Sequence, residues 1–146
     1  MDLGAAGLIE QPFPTHGKPL AVVTYQSQRD ALEVLRETLE HPTGLSLLQG
    51  PALSGKSVLV RSFRDSIDEE HAAAIVDGKG LNTTNLLLAI LRNFGYELDL
   101  SSANELLGLI RVFALQQATS GTPPLIIIEH AHELNPSGLR ALCELS

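Results

Sequence analysis

The sequence predicts one α/β domain of three layers, with helices on both faces of a parallel sheet. Two observations lead there. Short apolar runs alternate with amphipathic segments, and each run is continuously apolar, as strands covered on both faces require. The 146 residues are 44% hydrophobic and 18% charged, enough for one domain with a real core and too apolar for a disordered chain.

The elements follow in order. Residues 1–19 carry Gly4, Gly7, Pro12, Pro14, Gly17 and Pro19, a density that opposes regular structure and predicts a flexible arm. The domain proper is expected over 20–146. Residues 21–25, AVVTY, are β-capable and read as a strand or an extended lead-in. Ser27 is a candidate N-cap for a helix whose apolar residues are Ala31, Leu32, Val34, Leu35 and Leu39. His41-Pro42 ends it, because the residue before a proline is pushed out of the helical region. Residues 45–49 read as a strand, and a helix follows to about Ser66 with Val58, Leu59, Val60 and Phe63 apolar. Residues 72–76 form a second strand, closed by the Asp77-Gly78 turn signal.

Asn82, Thr83 and Thr84 offer N-caps for a helix to Phe94, whose LLLAIL segment is apolar nearly all round and so heavily buried. Ser102 and Glu105 have capping-box spacing. The helix behind them runs to about Thr119, with Leu106, Leu109, Ile110 and Phe113 on one stripe, and 121–124 break it. Residues 125–129, four branched aliphatics and an acid, are the most strand-like run. Asn135 then precedes Pro136 as an N-cap before a first-turn proline. The last helix carries Leu139, Leu142 and Leu145, an apolar stripe expected to stay partly uncovered and to favour self-association.

One stretch carries chemistry. Gly50, Gly55, Lys56 and Ser57 stand at the G-x-x-x-x-G-K-S spacing of a phosphate-binding loop, the Walker A motif, with Pro51, Ala52, Leu53 and Ser54 between the glycines. The glycines let successive backbone N–H groups face one point. The following helix adds its unpaired N–H groups and the positive end of its dipole. A polyphosphate fits such a concavity. Lys56 is placed to reach the β- and γ-phosphates, and the Ser57 hydroxyl to hold Mg²⁺. A chance match of this pattern in a chain this long has odds of roughly 1%.

The matching acid should end a strand. Glu129 does so, and is the candidate that anchors Mg²⁺ through water. His130 follows at the position where a second acid usually orients the attacking water. Lys56, Glu129 and His130 are therefore the candidate catalytic residues. Glu133 in a shifted register lies beyond the strand end. Asp77 also ends an apolar strand, but Asp-Gly reads first as a turn. His130 and His132 have no third ligand at metal spacing. His16, His41 and His71, and Arg61, Arg64, Arg92, Arg111 and Arg140, read as scattered surface residues. Cys143, the single cysteine, excludes an internal disulfide and a multi-cysteine zinc site and reads as a buried, inert thiol.

From Tyr25 onward the chain resembles the AAA+ ATPases of the general-secretion-pathway ATPase A (ExeA-like) group, which stand with the origin-recognition-like domains and bacterial transposition ATPases. The matching pieces are Ser27, Ala31, Leu32 and Leu35 in S-x-x-x-A-L-x-x-L, then LSLLQGPALSGKS, an A-x-I-V strand, a helix pair and IIIEHAHEL. Ala131, His132 and Leu134 match the family's last motif, while Glu129 and His130 depart from its Asp-Glu. The resemblance implies a P-loop NTPase fold, ATP with Mg²⁺ as ligands, and coupling of nucleotide state to assembly of an envelope or secretion complex. By the same analogy the Glu129 strand is expected beside 45–49, with Glu129 near Ser57. The departures imply slow turnover, down to a regulatory domain that binds without hydrolysing. The family's core also carries a sensor-1 strand, an arginine finger and a helical lid. None fits after Ser146, so the expectation is an incomplete AAA+ core, the front of a longer ATPase.

The expected partners are ATP and a protein or a second copy. A net charge of −7 argues against charge-driven binding to nucleic acid and so against a DNA-linked transposition or replication ATPase. No apolar run approaches the roughly 18 residues of a membrane span, and the N-terminus lacks the pattern of a secretory signal. The expectation is a cytoplasmic protein, peripheral to the inner membrane only through further regions.

Overall fold

A computed structural model describes residues 25–40, 45–68, 71–98 and 102–145. The expected arm over 1–19 and most of the 21–25 run lie outside them. Five α-helices and two strands are described: α1 (Gln26–Glu40), α2 (Lys56–Asp65), β1 (Ala73–Asp77), α3 (Thr83–Asn93), α4 (Ala103–Thr119), β2 (Leu125–Glu129) and α5 (Pro136–Leu145), with a short 3₁₀ turn at Ala131–Glu133. The two strands pair in parallel, Ala73 opposite Leu125 through to Asp77 opposite Glu129. Parallel pairing demands a long crossover, and α3 and α4 supply it. This is a mixed helix–strand fold with a parallel sheet, as a P-loop NTPase fold requires.

The core sits where the sequence is most apolar. Leu86, Leu87, Ile90 and Leu91 of α3 are 0% exposed. α3 packs on β1, α4 and α5 at once, which is why its residues are apolar on nearly every side. The Asn82 side chain caps α3 by accepting from Asn85 N–H at 2.9 Å. Phe94 stacks at 4.6 Å on Phe113 of α4, and Tyr96 meets the same ring edge-on. On α4 the buried residues are Leu106, Leu107 and Ile110, with Leu109 turned to solvent, so the stripe sits slightly to one side of the one expected.

The capping box is complete. Glu105 N–H donates to Ser102 Oγ, and Ser102 N–H donates to the Glu105 carboxylate at 2.8 Å. The Ser102 N–H, and next the Ser102 hydroxyl, which donates to the same carboxylate at 2.9 Å, hold the Glu105 carboxyl below the ordinary 4.5. Ser102→Ala should cost about 1 kcal/mol, read as a lower urea midpoint at unchanged m-value.

Several expectations change. The helix α1 starts one residue before Ser27: Gln28 and Arg29 N–H donate to Tyr25 C=O, so Ser27 sits in the first turn rather than at the cap. Residues 45–49 are not a strand. A strand's backbone groups need a neighbour to pair with, and here β1 and β2 pair with each other. Leu45 and the 75%-exposed Leu47 accordingly face solvent. The Glu129 strand therefore lies beside β1, not beside 45–49. Finally, β1 is fully buried on one face only, at Ala74 and Val76, and all of β2 is half-buried, less than the two-sided cover its apolar run implies.

On α5, Gly138 and Ala141 face inward. Leu142 and Leu145 are half-buried against the core while Leu139 is 44% exposed, so the expected stripe is partly open. Cys143 projects from the opposite side and is exposed, not buried as its residue type suggests. His71, expected on the surface, is half-buried, and its Nδ1 has no hydrogen-bond partner among the described residues.

Candidate functional site

The loop 50–57 leads from residues 45–49, which form no regular element, into α2. Its turn closes with a bond from Ser54 N–H to Pro51 C=O. Two residues take left-handed backbone, Leu53 at φ 61° and Gly55 at φ 82°. At Gly55 the requirement is double: a Cβ would also stand 2.9 Å from Gln28 Nε2, which donates to Ser54 C=O and ties the loop to α1. As the N-cap of α2, Gly55 brings no side chain to its first turn. The N–H groups that open this ten-residue helix are thus left without the usual side-chain acceptor.

Lys56 folds back over this loop. Its ammonium donates to Gly50 C=O at 2.9 Å and to Pro51 C=O at 2.7 Å. A cation therefore already sits inside the loop beside the open helix start. The Ser57 side chain makes no hydrogen bond among the described residues and is exposed. Phosphate oxygens match this donor set, and a hydroxyl suits Mg²⁺, which keeps several waters rather than taking an all-protein cage. Among the described residues there is no group of three or more His, Cys, Asp or Glu side chains that could hold a metal ion.

The second cluster forms at the C-terminal ends of the strands, where open parallel α/β sheets place ligands. Register brings Asp77 opposite Glu129. Beyond them the two loops are stitched together: Gly78 N–H donates to Glu129 C=O at 2.8 Å, Gly80 N–H to Glu133 C=O, and Asn135 N–H to Leu81 C=O. Gly78 is needed for this approach, since a Cβ there would stand 3.0 Å from Ile128 and 3.1 Å from Glu129 C=O. His130 takes left-handed backbone at φ 51° and ψ 37° and opens the 3₁₀ turn, its carbonyl accepting from Glu133 N–H at 2.8 Å. That turn swings the imidazole back over β1, and its Nδ1 lies 2.9 Å from Asp77 Oδ1.

Asp77 Oδ1 also accepts from Lys79 N–H at 3.1 Å, so the turn role expected of it is real. The Lys79 N–H, and next the His130 ring, hold this carboxyl below the ordinary 3.8. A depressed carboxyl supports the fold while charged; that support is present at neutral pH and is lost as pH falls through the lowered value. The Asp77–His130 pair itself is not visible as a sequence motif, because the residues are 53 apart. The signal that finds it is register: two in-phase strands ending in acids bring whatever follows them together. The Glu129 side chain is half-buried with no hydrogen bond among the described residues, and none joins it to Ser57.

Among the described residues no helix is long and apolar enough to cross a membrane. No curated protein and no solved structure matches the chain. A family model described as AAA domain matches residues 23–146, a span that takes in the loop 50–57, both strands and His130. A glycine-led helix start with a lysine folded into its loop, and a parallel sheet ending in acids, are what such a module is built from, and the chain belongs to the AAA domain family of P-loop NTPases.

Proposed function

We propose that this chain binds ATP with Mg²⁺ on the loop 50–57 and hydrolyses it slowly. The observation that carries the reading is the Lys56 ammonium held by two loop carbonyls at the uncapped start of α2. A triphosphate offers that ammonium stronger acceptors than neutral carbonyls. Lys56 then moves from Gly50 and Pro51 to the β- and γ-phosphates. The N–H groups of Gly55, Lys56 and Ser57 bind the phosphate oxygens, with the helix dipole adding to the attraction. Ser57 directly, and Glu129 through water, would hold Mg²⁺, which when bound would supply charge neutralisation on the phosphates.

His130 takes the place of the acid that orients water. A neutral imidazole accepts a proton, yet it brings no negative charge, and its shape and reach differ from those of a carboxylate. Turnover at saturating Mg-ATP should therefore fall below about 1 per second, the low end of ordinary enzyme rates. Phosphate release measures this, with Lys56→Ala as the background control. Rates of tens per second would contradict the slow-turnover reading. Release equal to the Lys56→Ala background, with ATP still bound, would favour a nucleotide-binding regulatory domain instead, which the histidine at this position also supports.

The resemblance to the secretion-pathway ATPase A group supports coupling of nucleotide state to assembly of an envelope or secretion complex through a protein partner. Lys56→Ala in the cell's own copy tests that role: stalled assembly supports it, and unchanged assembly removes it.

A further inference from the structure

The His130 ring has two nitrogens, and the one that lacks a proton decides what the ring can do. Nδ1 lies 2.9 Å from Asp77 Oδ1. An ionised carboxylate has no proton to give, so this bond forms only if Nδ1 carries the hydrogen. No described residue hydrogen-bonds Nε2. The pair is held from both sides: Asp77 by Lys79 N–H, and His130 by the 3₁₀ turn and the bonds that stitch loops 78–81 and 129–135 together.

We propose that Asp77 is a positioning residue, which fixes the His130 imidazole with its proton on Nδ1 and its Nε2 lone pair turned outward as the proton acceptor for the attacking water. This rests on the reading of His130 as the water-orienting group. In the step it serves, the water oxygen bonds the γ-phosphorus while its proton passes to Nε2. The bond from phosphorus to the bridging oxygen breaks, and its electron pair stays with ADP. Nε2 then returns the proton to solvent. A free histidine prefers the opposite tautomer, with the proton on Nε2, so Asp77 reverses an intrinsic preference. The pairing follows the carboxylate–imidazole logic that orients a catalytic base in hydrolases, where the acid is buried; here it is built at the ends of two parallel strands, with Asp77 58% and His130 48% exposed.

The test reads the nitrogens directly in the nucleotide-free protein. Long-range ¹⁵N–¹H correlation at about pH 9, where an ordinary histidine is neutral, distinguishes the two tautomers, with His130→Gln assigning the signal. The wild-type ring should be protonated on Nδ1. Asp77→Ser keeps a hydroxyl that accepts from Lys79 N–H but is too short to reach the ring. It should return His130 to the Nε2-protonated majority, with kcat lowered about 10-fold or more and the ATP Kd unchanged. A wild-type ring protonated on Nε2, or identical spectra for wild type and Asp77→Ser, would overturn the proposal. So would an unchanged kcat in the variant. A chain that binds no ATP yet shows the Nδ1 proton fails the proposed function and leaves the Asp77–His130 orientation standing.

Discussion

Lys56→Ala should weaken Mg-ATP binding by about 100-fold or more while leaving the fold intact. In the free protein the ammonium donates to Gly50 and Pro51 carbonyls, both on exposed residues. Water replaces it there, so the stability change should stay within about 0.5 kcal/mol. In the complex the same ammonium makes charge-assisted bonds to phosphate, each contributing about 1.5–3 kcal/mol. Two such bonds amount to about 3 kcal/mol or more, and every 1.4 kcal/mol is tenfold in affinity. Calorimetric titration and a thermal melt separate the two effects. Equal affinity in wild type and variant would remove Lys56 from the site. A large drop in melting temperature would make it a structural residue instead.

Leu86→Ala should destabilise the domain by about 2–5 kcal/mol, the range for a buried leucine whose cavity cannot collapse. Leu86 is 0% exposed on α3, which packs against β1, α4 and α5 together, so no neighbour can move in without losing contacts of its own. That loss is a large share of the roughly 5–15 kcal/mol of a typical domain. Leu47→Ala is the contrast. At 75% exposure it should change stability by no more than about 0.5 kcal/mol. Urea unfolding reads both. A Leu47→Ala cost comparable to that of Leu86→Ala would mean that 45–49 is a buried strand after all.

The contrast between these two leucines shows where sequence reading works. Helices and caps are local, so Ser102 with Glu105, Asn82 before α3, and the end of α4 at Thr119 are all legible from spacing. The 125–129 strand is legible because three consecutive isoleucines favour a pleated segment and 121–124 break the helix before it. The 45–49 run reads the same way, yet an isolated apolar run becomes a strand only when another chain segment answers its backbone groups, which no spacing within the run reveals. The loop 50–57 was legible as a motif. What it could not show is that Lys56 rests on the loop's own carbonyls. Asp77 was legible as a turn residue and silent as a partner of His130, because that contact depends on the register of β1 against β2 and on a left-handed backbone at a histidine. Cys143 was misplaced because its residue type outweighs, in sequence, the two-residue offset from Ala141 that turns it outward on α5.

The central claim is that the loop 50–57 receives the phosphates of ATP. Backbone amide shifts followed through a Mg-ATP titration test it most directly. The largest changes should fall on Gly55, Lys56 and Ser57, the Lys56 ammonium should leave its two carbonyls, and α4 and α5 should stay still. Shifts centred on another surface, or none at ATP concentrations up to about 10 mM, beyond ordinary KM values, would contradict it.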